Sequence, residues 1–125
     1  MAIKLIVTDL DGTFLNTNHI TIPKENIEAF KRAHDMGVKV AIASGRTKIL
    51  PDYLVEQLPF LDYLITSNGA VTYDLHTGKI VCSTLMNNTQ SVEIFNILKD
   101  YNLIYEIYYN GDCYMNDRSY AMFDT

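Results

Sequence analysis

Aliphatic and β-branched residues come in short unbroken runs along this chain, and between the runs the apolar positions shift to helical spacing. The first run, Ile3-Lys4-Leu5-Ile6-Val7, has the near-continuous apolarity of a buried parallel strand. Ile22-Pro23-Lys24-Glu25 then opens a helix, with proline near its first turn and an acid close behind. Ile27, Phe30, Ala33 and His34 fall on one face of it, and Gly37 stands where a left-handed C-terminal stop is expected. Val38-Lys39-Val40-Ala41-Ile42-Ala43 is a second strand. A second helix is expected from about Ile49 to Leu58, with Pro51 in its opening turn and Pro59 closing it. Asp62-Tyr63-Leu64-Ile65-Thr66 is a third strand.

Each strand runs into a small polar loop that carries glycine. Thr8-Asp9-Leu10-Asp11-Gly12-Thr13-Phe14-Leu15 follows the first, Ser44-Gly45-Arg46-Thr47 the second and Ser67-Asn68-Gly69-Ala70 the third. Strands separated by helical crossovers pair in parallel with right-handed connections, so the three loops are expected on one edge of the sheet. That edge is where open α/β folds hold ligands. Val71-Thr72-Tyr73-Asp74 and Lys79-Ile80-Val81-Cys82 flank Leu75-His76-Thr77-Gly78 and read as a β-hairpin. From about Leu85 the pattern changes. Asn87-Asn88-Thr89 offers a helix cap, Val92, Phe95 and Leu98 a helical face, and Leu103 to Tyr109 a strand of alternating Tyr and Ile. Asn110-Gly111-Asp112 signals a turn and Cys113-Tyr114-Met115 a further strand. Residues 85–125 therefore read as the start of a second module after an α/β unit at 1–84.

Composition narrows the functions this arrangement can serve. The 125 residues are 48% hydrophobic and 20% charged, enough for one soluble domain with a core. A net charge of −5 argues against a nucleic-acid partner, which needs a basic face, but leaves room for a small anionic substrate met by local cations. No apolar run approaches the ~20 residues of a membrane span, and Met1-Ala2-Ile3-Lys4-Leu5 enters a strand pattern without a signal-peptide layout. No membrane partner and a cytoplasmic location are the expectation. Cys82 and Cys113 lack metal or redox spacing and are expected to be buried free thiols. His19, His34 and His76 show no ligand spacing, and Tyr105, Tyr108 and Tyr109 read as core of the second module rather than a stacking platform.

The loops hold the chemistry. Two carboxylates separated by one residue at a strand end can divide labour, Asp9 as nucleophile and Asp11 as acid or base. They also form a hard oxygen site of the kind magnesium takes. Gly12 lets the backbone come close, and Ser44, Gly45 and Arg46 supply a hydroxyl, backbone N–H groups and a guanidinium suited to phosphate oxygens. Each motif alone also fits an ordinary turn or helix cap. All three, in order at three strand ends, point to a site.

Asp9-Leu10-Asp11-Gly12-Thr13, Ala43-Ser44-Gly45-Arg46 and Ser67-Asn68-Gly69-Ala70 together resemble the haloacid dehalogenase superfamily, in its Cof-like phosphatase branch with an α/β cap after the third strand. The stretch between Thr13 and Val38 leaves no room for the other cap type. The resemblance implies an α/β fold: the N-terminal half of a Rossmann-like, parallel, three-layer core at 1–84 and the beginning of an α+β cap at 85–125. It implies a magnesium-dependent phosphatase of small phosphorylated metabolites, sugar phosphates or phosphorylated cofactors, working through an aspartyl-phosphate. Asp9 would be the nucleophile, and Asp11 would protonate the leaving group and then activate water. The Asp9 carboxylate and Asp11 carbonyl would hold Mg2+. Gly12, Thr13, Ser44, Gly45 and Arg46 would bind phosphate, with Asn68 and Gly69 near the substrate.

Family members also carry, beyond the cap, a lysine and a Gly-Asp-x-x-Asn-Asp loop that complete the site. Gly111-Asp112-Cys113-Tyr114-Met115-Asn116-Asp117 has one residue too many and falls in the expected cap hairpin, so it reads as a turn. The expectation is the front half of a longer phosphatase, weak or inactive alone, with an open edge on its first strand that invites self-association. Two other classes compete. A non-catalytic remnant would keep the fold and a phospho-ligand pocket without turnover. A receiver-type signalling domain would need its acceptor Asp after the third strand, where this chain has Thr66-Ser67-Asn68.

Overall fold

The structure, a computed structural model, describes residues 2–47, 52–101, 103–109 and 112–117. The chain divides into two compact units, Met1–Thr84 and Leu85–Thr125.

In the first unit β1 (Leu5–Asp9), β2 (Lys39–Ala43), β3 (Tyr63–Thr66), β4 (Val71–Asp74) and β5 (Ile80–Ser83) form one sheet in that order. The β1–β2 and β2–β3 pairs are parallel, and the β3–β4 and β4–β5 pairs antiparallel. Connection length decides this. Helices α1 (Lys24–Asp35) and α2 (Asp52–Gln57) carry the chain back between the parallel strands, whereas a single 3-10 turn, Ser67–Gly69, reverses it between β3 and β4. The opening of the second expected helix, Ile49 to Pro51, lies outside the described residues.

Register explains the core. Ile6 pairs with Val40, and Thr8 with Ile42, which pairs with Leu64. Ile6, Val40, Ile42 and Leu64 therefore share one face, and they cluster with Phe30 of α1, Leu54 of α2, and Leu58 and Leu61 beyond it. Both helices cover that face. Ile27, Phe30 and Ala33 of α1 turn inward as their spacing requires, and Gly37 ends the helix at a φ of +80°.

The opposite face explains two corrections. The first strand is not buried as its sequence predicts: Leu5 is 48% and Val7 45% exposed. Both alternate with Ile6 and point away from the helices, and among the described residues β1 pairs with β2 alone. Cys82, expected inside, is exposed because it lies on β5, the outer strand at the other side of the sheet; Cys113 is half-buried, and both thiols are free.

At the end of β3 away from the loops, Asp62 is fully buried. It accepts hydrogen bonds from the Val40 N–H at 2.9 Å and Lys39 Nζ at 2.6 Å, with His76 Nε2 at 3.0 Å and His34 Nδ1 at 3.5 Å. One carboxylate thus ties β2, β3, the end of α1 and the β4–β5 turn. Burial pushes its pKa up, but the Lys39, Val40 and His76 hydrogen bonds outweigh that and bring it down to about 2.

The second unit holds helix α3 (Asn88–Leu98) and an antiparallel hairpin of β6 (Glu106–Tyr109) and β7 (Asp112–Met115). Asn87 and Gln90 cap α3 reciprocally, each side chain accepting the other's backbone N–H. Phe95 meets Tyr105 edge-on at 5.9 Å. Tyr108 and Tyr109, expected as core, are exposed on the hairpin. Leu103 to Tyr105 precede the strand rather than start it. Asn110 and Gly111 lie outside the described residues. Asp112 pairs with Tyr109 in the hairpin ladder, so Asp112 to Met115 of the Gly-Asp look-alike form a strand.

Candidate active site

The parallel register sets the site. Asp9 at the end of β1 pairs with Ala43 at the end of β2, and Ala43 pairs with Ile65 of β3. The residues that follow are the three polar loops, which therefore rise from adjacent strand ends.

The first loop is a helical turn pinned from below. Leu10, Phe14 and Leu15 are buried in the core, the N–H groups of Phe14 and Leu15 both donate to the Leu10 carbonyl at 3.0 Å, and Phe14 packs on Phe30 at 4.5 Å. With the apolar residues anchored, Asp9, Asp11, Gly12 and Thr13 stay at the surface side. Thr13 Oγ1 donates to Asp9 Oδ2 at 3.1 Å, fixing one carboxylate oxygen. Gly12 has a φ of +72°, and no protein atom lies within 4 Å of where a Cβ would stand. Within the protein its need for glycine is therefore the left-handed turn.

Asp11 is the hub between loops. Arg46 grips it in a fork, Nε to Oδ2 at 2.8 Å and the terminal nitrogen to Oδ1 at 2.5 Å. His19 Nδ1 stands 3.4 Å from the same Oδ1. The Arg46 hydrogen bond, opposed by burial and reinforced by His19, holds the Asp11 carboxyl below its ordinary value.

Ser44 is buried. Its Oγ accepts the Arg46 N–H at 3.1 Å, so the hydroxyl stays at the head of its loop with a proton to donate. The third loop clips the second: the Asn68 N–H donates to the Ser44 carbonyl at 3.2 Å and the Ser67 N–H to the Arg46 carbonyl at 2.9 Å. Gly69 ends that turn at a φ of +96°. The nine candidates thus assemble as Asp9 with Thr13, Asp11 with Arg46, and Ser44 and Gly45 against Asn68, with Gly12 and Gly69 shaping the two turns. His19 is the residue that sequence reasoning passed over. Asn16 and Asn18 were its signal, since their side chains fold the 16–21 loop back on Thr21 and bring His19 to Asp11.

The donor set fits magnesium in kind. A carboxylate at Asp9 and a carbonyl oxygen at Asp11 are hard ligands, and magnesium often takes only one or two carboxylates with water and phosphate supplying the rest. Among the described residues no three His, Cys, Asp or Glu side chains gather into a fuller set.

A family model for haloacid dehalogenase-like hydrolases matches residues 6–124. Phosphatase YwpJ of Bacillus subtilis is 29% identical over 122 residues, covering 98% of this chain and 42% of that protein. YwtE of the same organism, a 5-amino-6-(5-phospho-D-ribitylamino)uracil phosphatase, is 37% identical over 106 residues, covering 84% of this chain and 35% of that protein. The solved structure of a haloacid dehalogenase-like hydrolase from Bacillus subtilis superposes with a TM-score of 0.81 at 29% identity, over 97% of this chain and 42% of that one. The chain thus spans less than half the length of these relatives. With a matching family model along almost its whole length, it belongs to the haloacid dehalogenase-like hydrolase family.

Proposed function

We propose that the chain carries the nucleophile side of a phosphatase that cleaves small phosphate monoesters through an aspartyl-phosphate on Asp9. On this reading residues 1–84 are the first half of the catalytic core and 85–125 the beginning of a cap. The observation that carries it is the pairing of Asp9 with Ala43, which sets two acids beside the Ser44–Arg46 loop. The named activity of YwtE on a ribityl phosphate supports small phosphorylated metabolites as the substrate class.

In the first step an Asp9 oxygen attacks phosphorus while the bond to the leaving oxygen breaks, and Asp11 gives that oxygen a proton. In the second, water displaces the phosphoryl group from Asp9 and passes its proton to Asp11. Arg46 now grips Asp11, so the first step requires that pair to open; an anionic phosphoryl group competes for the same guanidinium. Ser44 donates its hydroxyl to a phosphoryl oxygen. Magnesium, held by the Asp9 carboxylate and the Asp11 carbonyl, would supply charge neutralisation.

Magnesium-dependent hydrolysis of p-nitrophenyl phosphate by the 125-residue chain tests the reading. Slow turnover that Asp9→Asn abolishes is expected. Turnover that survives Asp9→Asn contradicts it.

A further inference from the structure

Gly45 needs a different explanation from the other glycines around the site. Gly12 and Gly69 have positive φ, but Gly45 does not, so its backbone would accept a side chain. Space forbids one. A Cβ on Gly45 would lie 3.0 Å from the amide oxygen of Asn68 and 3.6 Å from its amide carbon. Asn68 is held there by an unusual stretch: Ser67, Asn68 and Gly69 take φ values of 51°, 56° and 96° in succession. Left-handed backbone costs a non-glycine residue about 1 kcal/mol or more, and it persists only where the surroundings impose it. Here the imposed contacts are to the second loop, at the Ser44 and Arg46 carbonyls.

We propose that Asn68 is a positioning residue whose amide, packed over Gly45, sets the spacing of the second and third loops and so the placement of the Ser44 hydroxyl and Arg46 guanidinium toward an anion. This rests on the reading that a phosphoryl group binds between those two side chains. Gly45 and Asn68 are then a matched pair. A methyl at Gly45 presses on the Asn68 amide by a few tenths of an ångström, and removing the Asn68 side chain makes room for it.

A double-mutant cycle decides the matter, with two readouts: orthovanadate affinity by calorimetry, and the Arg46 Nε–H resonance in nitrogen-15 NMR spectra. Misplacement by a few tenths of an ångström is expected to weaken vanadate about tenfold in Gly45→Ala. Asn68→Gly, which keeps the left-handed turn, is expected to weaken it about threefold, and the double variant no further, instead of the roughly thirtyfold of independent sites. The Arg46 resonance follows the same order, shifted most in Gly45→Ala and partly restored in the double variant. Additive losses, or an Asn68→Gly variant unchanged in both readouts, overturn the proposal even where Gly45→Ala folds poorly. Failure of the unsubstituted chain to bind vanadate contradicts the phosphoryl reading instead, and the Arg46 resonance still decides the Gly45–Asn68 coupling.

Discussion

Replacing Asp62 by asparagine removes a buried charge far from the proposed chemistry, and its cost can be worked from the structure. The carboxylate is fully buried and meets the Val40 N–H, Lys39, His76 and His34. Its pKa falls from 3.8 to about 2 in the folded chain, which at about 1.4 kcal/mol per unit corresponds to roughly 2 kcal/mol of stability. Because the folded value lies below the unfolded one, that stability is fully present above about pH 5 and is lost as pH falls through 4 toward 2. Asparagine keeps an acceptor for the Val40 N–H but no charge for Lys39. Breaking a buried pair often costs about 3–5 kcal/mol, but Lys39 is half exposed and can regain water, so Asp62→Asn is expected to lose about 2 kcal/mol at pH 7. Urea denaturation followed by circular dichroism at pH 7, 5 and 3 measures it. The gap between the two proteins should narrow at pH 3. A gap that is independent of pH, or smaller than about 0.5 kcal/mol at pH 7, the level of an ordinary surface substitution, refutes the reasoning.

Two further predictions concern other parts of the chain. Asn87→Ala removes the reciprocal cap of α3 and should destabilise the second unit by about 1 kcal/mol, seen as earlier loss of protection of α3 amides in hydrogen exchange; unchanged protection contradicts it. The outer edge of β1, with Leu5 and Val7 exposed beside it, is expected to pair with a second copy. Light scattering after gel filtration should then show mass rising with concentration, and a proline at Val7, which removes a ladder donor, should reduce it.

The parallel half of the fold was legible because its punctuation is local. Pro23 and Gly37 bracket α1, and glycine follows each of the three strands, so strand ends, loops and candidate residues could be placed without knowing what they touch. The cap at Asn87 was likewise readable, although its reciprocal partner Gln90 was not. What escaped depends on neighbours distant in sequence. Leu5 and Val7 look identical to Val40 and Ile42 as apolar letters; only pairing and helix placement leave the first two exposed and the second two buried. Cys82 fails for the same reason on β5. Asp62 reads as the polar start of a strand, and nothing local shows that Lys39, His34 and His76 converge on it. Asn68 reads as a turn residue, while its fit over Gly45 exists only after the second and third strands have paired.

The most direct test is to find where phosphate goes. The chain is incubated with magnesium and excess acetyl phosphate, any acyl-phosphate is reduced with borohydride, and the modified residue is located by mass spectrometry. Modification at Asp9, lost in Asp9→Asn and kept in Asp62→Asn, is the predicted result. Modification at another carboxylate, or modification that persists in Asp9→Asn, contradicts Asp9 as the nucleophile.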